Sequence, residues 1–313
     1  MTALVLPVSE SALSVGADIL RRGGLVAMPT ETVYGLACDA SNPEAVARLY
    51  AAKERPRFNP LIAHVASLEM AQREAVFSQD ALELAEAYWP GPLTLVLPVA
   101  STGTVCSLAR AGLETVALRM PAHTAARGLI EAFGGPLVAP SANRSGHVSP
   151  TRAAHVADDL RDRIDLILDG GPSECGIEST IVALTGPEAQ LLRAGALETA
   201  KLRTYLDGGL SRPAVGGPVT APGQLKRHYA PKAHLRLNAT APEPGEAWLG
   251  FGPSAHEGAN LSPTGNLQEA AASLFTLLRD LDARHDSIAV AAIPHEGLGE
   301  AINDRLARAA HRD

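Results

Sequence analysis

The chain has 313 residues, 46% of them hydrophobic, which is enough to bury a substantial core in about two domains. Its formal net charge of −7 excludes a protein that coats nucleic acid through bulk positive charge, although clustered arginines can still form a local cationic pocket. The three cysteines, Cys38, Cys106 and Cys175, include no C-x-x-C pair, which excludes a disulfide framework and a paired-cysteine zinc site.

Residues 1–206 alternate short apolar runs with helical patterns, as an α/β domain does. Ser41-Asn42-Pro43-Glu44 predicts a helix start, with a polar cap, a proline in the first turn and an acid near the positive end of the helix dipole. Strands are predicted at 25–28, 61–65, 93–97, 115–118, 137–139, 166–168 and 180–184, and helices at 81–88, 124–133 and 151–160.

The composition shifts after residue 206. Glycine and proline are abundant in the next 25 or so residues, so we expect a linker at 207–233 rather than a long helix or a central strand. Beyond it, strands are predicted at 235–237, 247–250 and 288–293, with amphipathic helices at 267–284 and 299–310. We therefore predict a second, smaller α/β domain at 234–313.

No basic region followed by an apolar stretch is present at the N-terminus, so we expect no signal peptide. The sequence also lacks any run of about 18 apolar residues, so we expect no membrane-spanning segment. These two patterns together favour a cytoplasmic protein.

Polar side chains gather directly after the first predicted strand, in the segment 29–36. Thr30, Glu31, Thr32 and Tyr34 lie at the strand's C-terminal end, where α/β proteins often bind small ligands. Turn hydroxyls also commonly bond their own backbone. A ligand-binding segment and a purely structural turn both remain open at this point.

The segment 53–61 forms a predicted cationic rim. Lys53, Arg55 and Arg57 fall within five residues, and prolines at 56 and 60 stiffen the chain. Arginine forks match phosphate oxygens, whereas lysine supplies a point charge. A solvated, charged helix end is the alternative, and His64 in the following apolar run is typical of a satisfied core histidine.

Two further segments carry hydroxyl, amide and guanidinium groups near strand ends. Small residues at 139–146 allow a ligand to approach the backbone, and Gly176 to Thr180 enters another strand. Ser149 can alternatively cap the next helix. The candidate polar residues in and around these segments are Thr115, Arg119, Ser141, Asn143, Ser149, Ser179 and Arg193.

Standard catalytic and nucleotide-binding motifs are missing. The sequence contains no G-x-x-x-x-G-K-[ST] loop, no G-x-G-x-x-G after a strand, no G-x-S-x-G elbow and no H-E-x-x-H. The residues by themselves therefore indicate an α/β protein with a cationic, hydroxyl-lined pocket that suits a phosphate-bearing ligand.

At these residues the chain resembles the threonylcarbamoyl-AMP synthase family, the YrdC-like proteins. The resemblance lies in residues 30–36, K-x-R-P-x-x-N-P-L at 53–61, W-P-G-P-L-T at 89–94, R-M-P at 119–121 and S-x-N at 141–143. A-P-G at 221–223 and R-H-Y-A-P at 227–231 resemble the linker of the family's long form. Two departures are Ala194, where the family usually has proline, and Gln224-Leu225-Lys226, which replaces a more aromatic stretch.

The resemblance implies a YrdC-like twisted mixed sheet with a concave cationic pocket, and a small C-terminal Rossmann-like α/β domain. It implies that Lys53 and Arg55 are the catalytic residues, and that Tyr229 closes the site from the linker. The implied threonine-binding residues are Thr32, His64, Arg119, Ser179 and the backbone at Ala139, and the implied ATP-binding residues are Lys53, Arg55, Asn59, Thr115, Ser141, Asn143, Ser149, Arg193 and Tyr229.

The resemblance also implies a reaction, in which L-threonine, bicarbonate or CO2 and ATP give threonylcarbamoyl-AMP and pyrophosphate. Mg2+ is expected with ATP, and a tRNA threonylcarbamoyl transferase is the expected downstream partner, with at most weak binding of tRNA itself. Carbamoyl transfer in hydrogenase maturation is a related alternative, but it would bring zinc-binding cysteine pairs. Non-catalytic RNA binding is disfavoured by the acidic charge and the 4% aromatic content, and a third alternative is a partner-binding protein.

Overall fold

The structure is a computed structural model that describes residues 2–56, 58–206, 208–213 and 229–311. We refer to residues 2–213, without their two gaps, as the N-terminal region and to residues 229–311 as the C-terminal region. Much of the predicted linker, including residues 214–228, lies outside the described residues, as does Arg57. Within the described ranges, no helix is both long enough and apolar enough to cross a membrane.

The N-terminal region contains an 11-stranded sheet with helices packed on it. The strands are β1 (Leu4–Pro7), β2 (Val26–Met28), β3 (Gly35–Asp39), β4 (Ile62–His64), β5 (Leu93–Pro98), β6 (Thr115–Arg119), β7 (Leu137–Val138), β8 (Leu166–Asp169), β9 (Thr180–Ala183), β10 (Ala189–Arg193) and β11 (Leu210–Ser211). The helices are α1 (Glu10–Arg21), α2 (Pro43–Lys53), α3 (Leu68–Glu74), α4 (Gln79–Tyr88), α5 (Thr124–Phe133), α6 (Ala153–Leu160) and α7 (Thr199–Leu202), with a 3-10 turn at Arg203–Tyr205.

The large sheet is mixed. Its strand order is β1-β8-β2-β3-β7-β4-β6-β5-β9-β10-β11, with parallel and antiparallel neighbours interspersed. The register matters for the site, because β4 and β6 run parallel with His64 opposite Arg119. Two polar residues from distant parts of the sequence therefore meet at the same end of adjacent central strands. The predicted α/β class with a mixed sheet is confirmed.

Helix α2 begins within the segment 41–44, as predicted, and Asn42 is its cap. The Asn42 side chain accepts hydrogen bonds from the backbone N–H groups of Glu44 and Ala45, at 2.9 and 3.2 Å. Pro43 occupies the first turn, where no intrahelical donor is needed. The helix ends at Lys53, and the following Glu54 adopts a left-handed conformation with a φ of 54°. This turn redirects the chain and leaves Lys53 on the buried side.

The C-terminal region forms its own four-stranded parallel sheet. The strands are β12 (His234–Ala239), β13 (Ala247–Gly250), β14 (Ala259–Asn260) and β15 (Ser287–Ala291), in the order β12-β15-β13-β14. Two helices, α8 (Leu267–Asp282) and α9 (Gly299–Ala310), complete it. This arrangement agrees with the small Rossmann-like α/β unit that was expected.

The two regions are packed closely against each other. One buried apolar cluster extends from the large sheet to side chains of α8 and α9. Gly176 marks a tight approach, because a Cβ atom there would lie 2.4 Å from the Ala271 carbonyl oxygen in α8. Its φ of +70° also favours glycine. The loop that precedes β9 is thus held directly beneath a helix of the C-terminal region.

Candidate active site

A polar cavity of about 50 Å³ lies where the ends of β4, β6 and β10 meet the loops that follow β2 and β7. Such strand ends are common ligand sites in α/β proteins. Its lining residues come from both regions: Thr32, Val33, Arg55, Ile62, His64, Arg119, Ala139, Pro140, Ser141, Glu178, Ser179, Arg193 and Tyr229. The cavity therefore brings together residues from nearly every segment that the sequence singled out.

Three guanidinium groups line this cavity, those of Arg55, Arg119 and Arg193. Arg193 is fixed by donating from Nε and Nη2 to the Ser179 carbonyl oxygen, at 3.1 and 2.9 Å. Arg55 donates from Nη2 to the Pro60 carbonyl oxygen at 3.2 Å. Burial lowers the pKa of Arg55 to about 10, so the group remains charged near neutral pH. The cavity is strongly cationic and suits an anionic ligand.

Arg119 is held by a buried carboxylate. Its Nη2 donates to Glu31 Oε1 at 2.7 Å, and its Nε donates to the Gly91 carbonyl oxygen at 3.3 Å. Burial raises the pKa of Glu31, but the charge and hydrogen bond of Arg119 outweigh it and hold the pKa below its ordinary value. Glu31 is thus a site residue that the sequence did not assign, although it lies within the segment recognised as polar.

Lys53 does not line the cavity. Only 1% of it is exposed, and its ammonium group donates to the carbonyl oxygens of Ser141 and Asn143. Burial and the neighbouring charge of Arg55 hold its pKa well below the ordinary value. In this conformation Lys53 shapes the loop after β7, which presents Ser141 to the cavity.

Four other predicted ATP-binding residues lie outside the lining. Asn59 and Asn143 are buried, and Asn143 Nδ2 donates to the carbonyl oxygens of Arg144 and His147, at 2.7 and 2.8 Å. Ser149 donates to Glu178 Oε1 at 2.6 Å. Thr115 begins β6, whereas Arg119 ends it, so the two lie at opposite ends of that strand. The structure therefore gathers nine of the predicted residues at the cavity: Thr32, Arg55, His64, Arg119, Ala139, Ser141, Ser179, Arg193 and Tyr229.

Both interpretations of the segment after β2 apply, each to a different threonine. The Thr30 hydroxyl accepts from the backbone N–H groups of Thr32 and Val33, both at 3.2 Å, and donates to the Val33 carbonyl oxygen at 2.6 Å. Thr30 therefore stabilises the turn. Thr32 lines the cavity, and its hydroxyl oxygen lies 2.9 Å from that of Thr30.

His64 is a neutral group in the cavity wall. Burial, together with the charge of Arg119, lowers its pKa to about 3. The ring contacts two backbone carbonyl oxygens, that of Ile62 at 3.2 Å from Nδ1 and that of Leu137. A neutral imidazole beside Arg119 leaves the guanidinium charge available for an anionic ligand.

We expect His64 to make the protein less stable as the pH falls. The unfolded chain binds a proton near pH 6.5, whereas the folded chain does so only near pH 3, so acidification favours unfolding between these values. Replacing His64 by glutamine should reduce the pH slope of the unfolding free energy by up to about 1.4 kcal/mol per pH unit between pH 6 and pH 4. Urea unfolding at several pH values measures this slope. His155, whose pKa burial lowers to about 4, acts in the same direction and remains in the variant.

Two residues of the C-terminal region reach the cavity or the residues that form it. Tyr229, with a φ of 62°, lines the cavity and stacks on Phe275 of α8 with ring centroids 5.4 Å apart. Arg305 of α9 donates from Nε to Glu178 Oε2 at 3.1 Å. The sequence offered a local clue to Glu178, an acid beside Ser179 at a strand entrance. It offered none to Arg305, which is distant in sequence and lies within a regular amphipathic helix.

The described residues include no group of three or more His, Cys, Asp and Glu side chains placed to hold a metal ion. Glu178 supplies the single carboxylate among the residues that line the cavity. Mg2+ commonly binds proteins through one or two carboxylates together with substrate phosphates. The residues present thus fit a magnesium ion that enters with a phosphate ligand better than one bound by the protein alone.

Comparisons with known proteins find matches along most of the chain. Residues 18–195 match the family described as "Telomere recombination", and residues 197–311 match "Threonylcarbamoyl-AMP synthase, C-terminal domain". The chain is 39% identical to the threonylcarbamoyl-AMP synthase of Pyrococcus abyssi, an alignment that covers 96% of this chain and 95% of the relative. It is 37% identical to the synthase of Bacillus subtilis, covering 97% and 94% respectively.

A solved structure is also closely similar. The crystal structure of P. abyssi Sua5 complexed with L-threonine matches this chain with a TM-score of 0.89 and 37% sequence identity. The match covers 99% of this chain and 97% of that protein. Both regions of the fold are therefore shared with a protein whose structure contains L-threonine.

Proposed function

This chain belongs to the threonylcarbamoyl-AMP synthase family, and we propose that it forms threonylcarbamoyl-AMP from L-threonine, bicarbonate or CO2, and ATP. Pyrophosphate is the second product. The nucleotide product serves the threonylcarbamoyl modification of an adenosine next to the anticodon in tRNA, through a downstream transferase. A cytoplasmic location is part of this proposal.

The convergence of Arg55, Arg119 and Arg193 on one cavity carries the proposal. Two of the reactants are anionic: the amino acid carries a carboxylate, and ATP is a nucleoside triphosphate. Arg119 is placed to bind the threonine carboxylate, since Glu31 and Gly91 fix its orientation. Arg55 and Arg193 would bind phosphate oxygens, for which guanidinium forks are well matched.

The chemistry requires no covalent intermediate on the protein. The threonine amine first attacks CO2 and loses a proton, which gives a carbamate. A carbamate oxygen then attacks the α-phosphorus of ATP, and the bond to the bridging oxygen breaks to release pyrophosphate. Positioning of the reactants and stabilisation of phosphoryl charge are the protein's contributions, and correct positioning can supply about 7–11 kcal/mol of barrier reduction.

The residues that line the cavity, together with Lys53, have distinct parts in this scheme. Thr32, Ser179 and the backbone at Ala139 would hold threonine beside Arg119, with neutral His64 in the wall. Ser141 and Tyr229 would contact the nucleotide. Lys53 would act through the loop of Ser141, and Mg2+ would neutralise phosphate charge when it enters with ATP.

Exclusion of water is a further requirement, because the product is a mixed anhydride that water hydrolyses. Tyr229 covers the cavity and is buried by the stack on Phe275 and by Arg305, whose guanidinium carbon lies 5.7 Å from the ring centroid. Because Tyr229 lines the cavity and is buried in this conformation, movement of this residue would give ATP access to the site.

Pyrophosphate release tests the proposal. ATP and Mg2+ are supplied to the full chain, with L-threonine and bicarbonate each present or omitted, and the nucleotide product is identified by mass spectrometry. Release that requires both supplements is the expected result. If the folded protein releases no pyrophosphate under any combination, the proposed activity is wrong, and salt-sensitive RNA binding without ATP consumption would favour the RNA-binding alternative.

A further inference from the structure

We propose that Arg305 is a positioning residue for nucleotide binding, through which the C-terminal region fixes the Glu178 carboxylate in the wall of the cavity. This inference rests on the proposed function, because it concerns the same nucleotide site. It also gives the C-terminal region a specific part in that site, beyond packing against the N-terminal region.

Arg305 is the largest fully buried side chain of the described residues, with 0% of it exposed. Its Nε donates to Glu178 Oε2, and its Nη1 donates to the Ala194 carbonyl oxygen in the loop after β10. A buried ion pair contributes little net stability compared with apolar packing, because both charges lose their hydration. The ion pair acts here by fixing geometry. The Arg305 guanidinium has one acceptor in the loop before β9 and another in the loop after β10, so it holds both loops in place.

Both regions hold the Glu178 carboxylate. Ser149 of the N-terminal region donates to Oε1 at 2.6 Å, while Arg305 of the C-terminal region donates to Oε2 at 3.1 Å. Both carboxylate oxygens are therefore engaged. Gly195 allows this loop to pack tightly, because a Cβ atom there would lie 2.4 Å from the Glu178 carbonyl oxygen.

The orientation of Glu178 matters because it shares the cavity with the phosphate-binding arginines. Glu178 and Arg193 both line the cavity and attract each other electrostatically. If Arg305 were missing, the Glu178 charge would be drawn towards Arg193 and would compete with the phosphates of ATP. Arg305 thus keeps a negative group from occupying the nucleotide's place. Arg119, at the threonine side of the cavity, is paired with its own carboxylate, Glu31. Loss of Arg305 should therefore leave threonine affinity nearly unchanged.

Other contacts between the regions support the same surface. Arg279 of α8 forms an ion pair with Asp159 at 2.9 Å and donates to the carbonyl oxygen of Val148, the residue before Ser149. Helix α8 also lies on Gly176, two residues before Glu178. The C-terminal region therefore contacts the chain close to Glu178 and close to Ser149, which donates to the Glu178 carboxylate.

The test compares nucleotide and threonine binding by calorimetry, using a non-hydrolysable ATP analogue with Mg2+ and L-threonine separately. In Arg305→Met we expect nucleotide affinity to fall about tenfold or more, as loss of a charge-assisted buried hydrogen bond does, with threonine affinity nearly unchanged. Arg305→Lys keeps the positive charge but not the planar guanidinium, so its loss of nucleotide affinity should be smaller than that of Arg305→Met. Arg284→Met is the matched control, because among the described residues this exposed arginine of the same region donates only to the backbone carbonyl oxygen of Asp280, near the end of α8.

A double-mutant cycle with Glu178→Gln tests whether Arg305 acts through the carboxylate. In that background, Arg305→Met should have little further effect on nucleotide affinity. Equal losses in both backgrounds, or wild-type nucleotide affinity in Arg305→Lys and Arg305→Met, would overturn the inference. Should Arg305→Met not fold, Arg305→Lys decides by the same criterion, with threonine binding as the evidence of folding. Pyrophosphate release by the wild-type chain separately decides the proposed function.

Discussion

Replacing Arg119 by methionine should abolish L-threonine binding and also destabilise the protein. Arg119 lines the cavity, and its removal takes away the cation that pairs with the amino acid carboxylate. It also leaves Glu31 buried without its partner, which should lower the free energy of unfolding by about 3–5 kcal/mol. Isothermal titration with L-threonine and urea unfolding measure the two effects.

The double variant Arg119→Met, Glu31→Gln separates binding from stability. It removes both charges of the buried pair, so we expect most of the lost stability to return while threonine binding remains absent. Recovery of threonine binding in the double variant would show that Arg119 does not contact the substrate. An unaltered stability in the single variant would contradict the buried ion pair.

The second large effect is expected at Arg55, where activity and stability should separate. Among the described residues, no carboxylate lies within ion-pairing distance of Arg55, and burial lowers its pKa to about 10. Burying a cation without a carboxylate partner costs free energy, and this cost offsets the hydrogen bond that Arg55 donates to the Pro60 carbonyl oxygen. Arg55→Met should therefore unfold within about 1 kcal/mol of the wild type, or be more stable, yet lose roughly 100-fold or more in pyrophosphate release.

Lys53→Met provides the contrast for Arg55. Its ammonium group satisfies two buried carbonyl oxygens, so this variant should lose stability as well as activity. Denaturant unfolding and initial rates of pyrophosphate release are measured on both variants. If Arg55→Met is as destabilised as Lys53→Met and keeps its activity per folded molecule, Arg55 is a structural residue and the assignment to phosphate binding is wrong.

Several buried strands were predictable because their apolar runs are continuous and end at turn residues, although β3, which is also buried, was missed. The run predicted at 93–97 became β5 at Leu93–Pro98, and the helix predicted at 124–133 became α5 with the same bounds. Edge elements were missed for the opposite reason. Strand β1 is largely exposed, and β11 has two residues, so neither has a strong apolar pattern.

The site was predictable where a segment carries several polar groups at a strand end, as with Thr32 and Ser141. The resemblance to the family added His64, which its apolar surroundings alone indicate to be a core histidine. Partners across the fold were not predictable, because pairing between Glu178 and Arg305 depends on how the two regions pack. Sequence spacing contains no information on that contact, which joins a loop before β9 to the last helix.

Pairing of β1 with β8 also sets an order for folding. Leu4 pairs with Leu166, so most of the N-terminal region must be present and collapsed before this ladder can form. Contacts between residues far apart in sequence form slowly, because a long loop must close first. Until β1 docks, β8 presents free backbone N–H and C=O groups along one edge, which another chain can pair with. A refolding chain therefore has an open strand edge, at which intermolecular pairing and aggregation can start, until its first strand is in place.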